Sequence, residues 1–203
     1  MFVVTADQHR SRETGDRVRR LLEDLSPWAD ERAEHILLPL ERTVGDEVQI
    51  VLSDAETALD FTLQLVRAGD WAIGVGAGPA DLPLGSSPRQ SSGEVFIHAR
   101  NAVERARGKA EPVPVVVEGA NNDAAGQATA VLQLLAAVVR RRSAEGWAVA
   151  DRQAQGMNQA RIAADLGISP QAVSKRARTA MVEEERRARP VVAALISTAE
   201  GHL

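Results

Sequence analysis

The stretch MNQARIAADLGISPQAVSKRART, residues 157–179, carries the densest set of chemically usable side chains in the chain. Asn158 suits the N-cap of a helix whose inner face is Ile162, Ala163 and Leu166. Gly167 falls one residue past that helix, where a positive φ turns the chain sharply. Ser169 then caps a second helix, with Pro170 at its first position, where the missing N–H is no loss. A small residue at Ala163 allows a close crossing, and Val173 packs the second helix inward. The spacing predicts a helix-turn-helix. An ordinary three-helix bundle with a solvated basic face is the plainer alternative.

That second helix turns Gln171, Ala172, Lys175, Arg176 and Arg178 outward. In the major groove of a duplex its N-terminal part meets base edges. There Gln171 bonds an adenine, Lys175 a guanine, and the methyl of Ala172 touches a thymine. Ser174, Arg176 and Arg178 suit phosphates, which position without specifying. Ser169, at the head of the helix, completes the candidate DNA-binding set. Arg176 stands where many such motifs place an apolar residue, so a packed stem is its alternative role. No glycine-punctuated hairpin follows, which argues against a winged form. Residues 188–199 place Val191, Val192, Leu195 and Ile196 on one face. That face either pairs two subunits over a palindromic site or closes the bundle.

Two aspartates form a second candidate site. Asp7 ends a short apolar run, and Asp46 lies in the turn Val44-Gly45-Asp46-Glu47-Val48. If a sheet brings them together, their carboxylates suit Mg²⁺, which takes one or two carboxylates plus phosphate oxygens. As plain turn-formers they would hold nothing.

The elements that must position these groups follow from hydrophobic periodicity. Residues 2–6, 36–40, 48–52, 71–75 and 113–117 read as strands, the second and third joined as a hairpin. Residues 17–25, 58–66 and 95–106 read as amphipathic helices, and 79–93 as a loop. The order β-α-β-β-α-β-α-β is a split βαβ arrangement around one sheet. From Asn121 onward every segment reads as helix: a long one ending in Arg140-Arg141-Arg142, then 145–155, 159–166, 170–182 and 188–199. Cations at a helix C-terminus suit the macrodipole. The expected domains are 1–119 and 122–203, an α/β unit and an all-α unit.

Composition bounds the rest. The chain has 203 residues with 24 Lys+Arg, 28 Asp+Glu and no cysteine. The absence of cysteine excludes disulfides, thiolate metal sites and a cysteine nucleophile. No apolar run approaches the ~20 residues needed to cross a bilayer. With no signal-peptide pattern at the start, a cytoplasmic protein is expected. Residues 140–203 hold 11 basic and 7 acidic side chains against 13 and 21 in residues 1–139. A basic tail on an acidic body fits a nucleic-acid partner.

The aspartate after strand one, the Gly45-Asp46-Glu47 hairpin and the IGVGAG strand leading to an Ala99-Arg100 helix resemble class III nucleotide cyclases. They also resemble the related palm domain of diguanylate cyclases. In detail, ADQHRSR, VGDEVQ and QARIAADLGISPQAVSKR are similar to the SatD-like family, which joins such a region to a helix-turn-helix. The helical half resembles the tetrahelical form found in response regulators and sigma-factor region 4.

The resemblance implies a ferredoxin-like palm domain in which Asp7 and Asp46 hold metal, Arg42 helps select a purine and Arg100 stands for the nucleotide-site arginine on the helix after the loop. Phe96 stands where cyclases place an asparagine, the loop is shortened, and Val44 and Val48 depart from the diguanylate signature. A site keeping metal ligands but lacking a transition-state donor binds better than it reacts. The expectation is therefore a dimeric, DNA-binding transcriptional regulator with a degenerate cyclase-like sensor or dimerisation domain. Its ligand would be a nucleotide or cyclic (di)nucleotide, with Mg²⁺. A Mg²⁺-dependent cyclase-like enzyme and an RNA-polymerase-binding module are the alternatives.

Other signals are weak. Gly74 to Gly78 lacks GxGxxG spacing. His9, His35, His98 and His202 are scattered, and no G-x-S-x-G elbow surrounds the loop serines. Glu183 to Arg187 reads as a solvated helix face. Trp28, Trp71 and Trp147 read as core.

Overall fold

A computed structural model describes residues 1–8 and 15–201 of the chain. Strands β1 (Phe2–Gln8), β2 (Ile36–Arg42), β3 (Glu47–Leu52), β4 (Trp71–Ala77) and β5 (Val115–Glu118) form one mixed sheet. Their spatial order is β2-β3-β1-β4-β5. β1 runs antiparallel to both β3 and β4, β2 and β3 make the hairpin, and β4 pairs in parallel with β5. Helices α1 (Val18–Glu31), α2 (Ala55–Ala68) and α3 (Glu94–Arg107) connect the strands. Then come α4 (Asn122–Arg140), α5 (Ala144–Ala154), α6 (Gln159–Leu166), α7 (Pro170–Thr179) and α8 (Val182–Thr198). The element order is the one that the periodicity predicts.

Alternation in the strands separates two apolar layers. Phe2, Val4 and Ala6, with Leu52, Ile50 and Val48 opposite them, face the main core. Val3, Thr5 and Asp7, with Val51, Gln49 and Glu47 opposite, face the layer beneath α3. Covered on both sides, β1 is buried along its whole length. α3 lies very close to β4. A Cβ on Gly74 would stand 2.3 Å from the Val103 nitrogen, and one on Gly76 2.3 Å from the Val95 oxygen. The glycines of this strand serve close helix packing. β2 tolerates Pro39 because it is an edge strand, and its pairing with β3 shifts register on either side of Leu38, Pro39 lying within the second shift.

The main core crosses the boundary expected at 119–122. Leu132 and Leu135 of α4 and Val192 and Ile196 of α8 belong to the same buried cluster as the sheet. Residues 188–199 therefore close onto the body: Val192 and Ile196 are buried, Leu195 is half-buried and Val191 is exposed. Val149, Ile162, Ala163 and Val173 form a separate cluster among α5, α6 and α7. The helix expected over 170–182 stops at Thr179, where Met181 takes a left-handed conformation (φ 52°) and redirects the chain into α8. α8 consequently begins at Val182 and carries the whole charged run Glu183 to Arg189. No helix among the described residues is long and apolar enough to cross a membrane.

Candidate functional site

The turn between α6 and α7 is built from local rules. The Asn158 side chain accepts the Arg161 N–H at 2.9 Å, and Ser169 Oγ accepts the Ala172 N–H at 3.2 Å. Gly167 sits at φ 63°, with Ile168 N–H bonding the Ala163 carbonyl at 3.0 Å and Gly167 N–H the Ala164 carbonyl at 3.4 Å. That is a Schellman ending, which satisfies the last carbonyls of α6. Val173, 1 % exposed, is packed against Ile162 and Ala163.

With Val173 inward, Gln171, Lys175 and Arg178 form one exposed stripe at i, i+4 and i+7. Ala172 beside them is half-buried. Ser174, half-buried, accepts at its hydroxyl from Gln159 Nε2 at 2.5 Å, and the same nitrogen donates to the Pro170 carbonyl at 2.6 Å. Arg176 is half-buried, and its charge helps to hold the Glu145 carboxyl below the usual range, after that group's backbone and Ser143 hydrogen bonds. Arg178 also lines a groove of about 900 Å³ between α2 and the helices α5, α7 and α8.

The unit is tied to the sheet body by arginines. Arg67 of α2 bonds both oxygens of Asp151 in α5. The guanidinium groups of Arg67 and Arg142 lie 3.9 and 4.4 Å from the Trp147 ring centroid. Trp147 is thus half-buried, packed against the main core as the sequence suggests and clamped between two cations. Arg142, unlike its exposed neighbours Arg140 and Arg141, is buried. It bonds the Ala180 carbonyl at 3.1 Å and Glu185 at 2.5 Å. Glu185 also accepts from Arg189, which reaches Asp60 of α2 at 2.7 Å.

At the opposite end of β1 the register sets Asp7 directly across from Glu47. Both are buried; Arg107 of α3 approaches Asp7 at 3.4 Å, and Thr43 Oγ1 donates to Glu47 at 2.5 Å. Asp46 sits in the adjoining turn, half-exposed, its carbonyl accepting the Gln8 N–H at 3.2 Å. So Asp7 and Asp46 come to the same sheet end, with Glu47 added. Arg42, paired in register with Val48 next to Glu47, gives its guanidinium to Asp16. Arg100 is exposed on α3, about 10 Å along the axis from Arg107 at 1.5 Å per residue. Among the described residues no group of three or more metal-ligating side chains is gathered. The ADQHRSR motif extends from Asp7 into residues outside the described ones, as do His9 and His202. His98 bonds the Ala77 carbonyl and His35 pairs with Asp54, so neither joins a cluster.

Glu47 and Arg107 escape sequence reasoning because strand register and helix docking select them. The signal for Glu47 was its place beside Asp46 in VGDEV; Arg107 shares a helix face with Arg100, seven residues earlier. Compared with known proteins, the chain matches no family model, no curated protein and no solved structure.

Proposed function

We propose that the chain is a DNA-binding transcriptional regulator that reads a duplex with α7 and acts as a homodimer on a palindromic site. The observation that carries this reading is the stripe Gln171–Lys175–Arg178, exposed on a helix whose opposite face is fixed by Val173. A capped, Schellman-turned pair of short helices is the geometry that places such a stripe in a major groove. Gln171 and Lys175 then read base edges, while Arg178 and Arg176 hold phosphates. Ser169 caps the helix, Ala172 lies beside the stripe, and Ser174 braces Gln159. The test is titration of labelled duplexes with wild type and Lys175→Ala. Equal binding of every duplex by both would contradict the reading.

In this reading the sheet unit is a degenerate, palm-like sensor or dimerisation domain. Its β-α-β-β-α-β core with strand order β2-β3-β1-β4 supports the ferredoxin-like assignment. Facing carboxylates at Asp7 and Glu47 favour a second role, binding of Mg²⁺ with a nucleotide. Bound there, Mg²⁺ would neutralise carboxylates and phosphate, and Arg107 would have to yield the Asp7 oxygens. Calorimetry with Mg²⁺ and nucleotides against wild type and Asp7→Asn tests it; heat of binding equal in both variants would count against the site.

A further inference from the structure

α4, with its C-cap residue Arg141, carries a largely exposed seam. Asp123, Gln127, Ala130, Leu134, Ala137 and Arg141 follow one another at steps of four, three, four, three and four residues. That is a 3.5-residue period, the pattern of a coiled-coil seam. It lies opposite the buried face of Ala128, Leu132, Leu135 and Val139. Leu134, at its middle, is 70 % exposed, and Ala137 is partly buried at the edge of the main core. Asp123 and Arg141 mark the ends, and neither has an ion-pair partner among the described residues.

The helix macrodipole accounts for an acid at the N-terminal end and a base at the C-terminal end. It does not account for a large exposed leucine between them. Nor does it account for Gly126, an exposed mid-helix glycine beside the seam. A Cβ there would meet nothing within 4 Å, and glycine in a helix interior costs about 1 kcal/mol relative to alanine. Packing within one chain gives no reason for it.

We infer that α4 pairs antiparallel with α4 of a second copy of this chain, about a two-fold axis at residue 132. One register satisfies the six seam positions, because each opposed pair sums to the same number. Leu134 meets Ala130 of the other copy, Gln127 meets Ala137, and Asp123 meets Arg141. The charges are complementary at both ends, and each leucine knob faces a small residue. Such self-complementarity belongs to a two-fold contact, where i meets j and j meets i. Antiparallel packing also opposes the two helix dipoles favourably. A second copy is what the palindromic reading calls for, and in that respect the inference rests on it. The seam is measured without DNA, however, so each stands or falls on its own data.

The experiment is sedimentation of the full chain without DNA, wild type against Leu134→Asp, with circular dichroism to verify folding. Wild type should sediment at twice the one-chain mass and Leu134→Asp at the one-chain mass. Because the chain has no cysteine, an oxidised mixture of Ala130→Cys and Leu134→Cys chains then reports the register. Mixed disulfide-linked dimers should form in excess over either homodimer. A monomeric wild type, a dimer that Leu134→Asp leaves intact, or cross-linking without preference for the mixed pair would each overturn the inference.

Discussion

Arg67 of α2 holds Asp151 of α5 by two bonds of 2.7 and 2.8 Å, spanning 84 residues of chain. The same guanidinium stacks on Trp147, so one side chain sets both the distance and the tilt of α5 against the sheet body. α7 packs on α5, and its stripe inherits that orientation.

The two contributions of Arg67 separate by mutation. Both partners of the ion pair are about two-fifths exposed, and pairs of that kind contribute ~0–1 kcal/mol. Asp151→Ala should therefore lower stability by less than about 1 kcal/mol. Trp147→Ala removes apolar packing and two cation–π contacts, and should cost about 2–3 kcal/mol. Urea unfolding checks the order; equal losses would mean that the ring is not the clamp.

Arg142 and Glu185 form an ion pair whose side chains are 2 and 7 % exposed. Glu185→Ala strands a buried guanidinium with only the Ala180 carbonyl and the Trp147 ring among the described residues, and should cost ~3–5 kcal/mol. Arg142→Met should cost less, because Glu185 keeps Arg189. Urea midpoints of the two variants test that asymmetry, and the reverse order would contradict the network as described.

The two-residue logic of caps, turns and alternation was legible in the sequence. Asn158, Gly167, Ser169 and Val173 act through neighbours fewer than six residues away or through one inward face, so spacing alone locates them. Glu47 and Arg107 were not legible, because a cross-strand register and the docking of α3 bring them to Asp7. The destination of α8 was hidden for the same reason: its apolar face fits a partner subunit or its own body, and long-range packing decides. Trp147 packs against the core as its apolar surroundings suggest, but the two arginines that close on it come from distant parts of the chain and were not legible.

Gly74 and Gly76 carry a prediction in the opposite sense from Gly126. Gly76→Ala drives a methyl into the α3 backbone, where no side chain can move aside, and should cost more than about 3 kcal/mol. Gly126→Ala finds open space, and should raise the stability of the isolated chain by up to about 1 kcal/mol. Thermal unfolding in dilute solution compares them.

Glu111 links α3 to α4, and its carboxyl is held below its ordinary value of 4.5 chiefly by the Arg105 hydrogen bond, then by Gln133. A depressed folded-state pKa gives stability that is present above the unfolded value and is lost as pH falls through the folded one. Wild type should therefore lose its advantage over Glu111→Gln below pH 4.5 and keep it above. Urea midpoints across that range test the sign, and a gap that widened on acidification would contradict it.

Selection of bound duplexes from a random pool at near-physiological salt tests the central claim, that α7 reads base pairs. Wild type should enrich a palindromic motif. Lys175→Ala or Gln171→Ala should lose ~1–3 kcal/mol of affinity for it and relax preference at one base pair per half-site. Arg178→Ala should weaken all duplexes alike and flatten the salt dependence by about one unit. A pool that emerges without any enriched sequence, or a motif equally well bound by all three variants, would contradict the account.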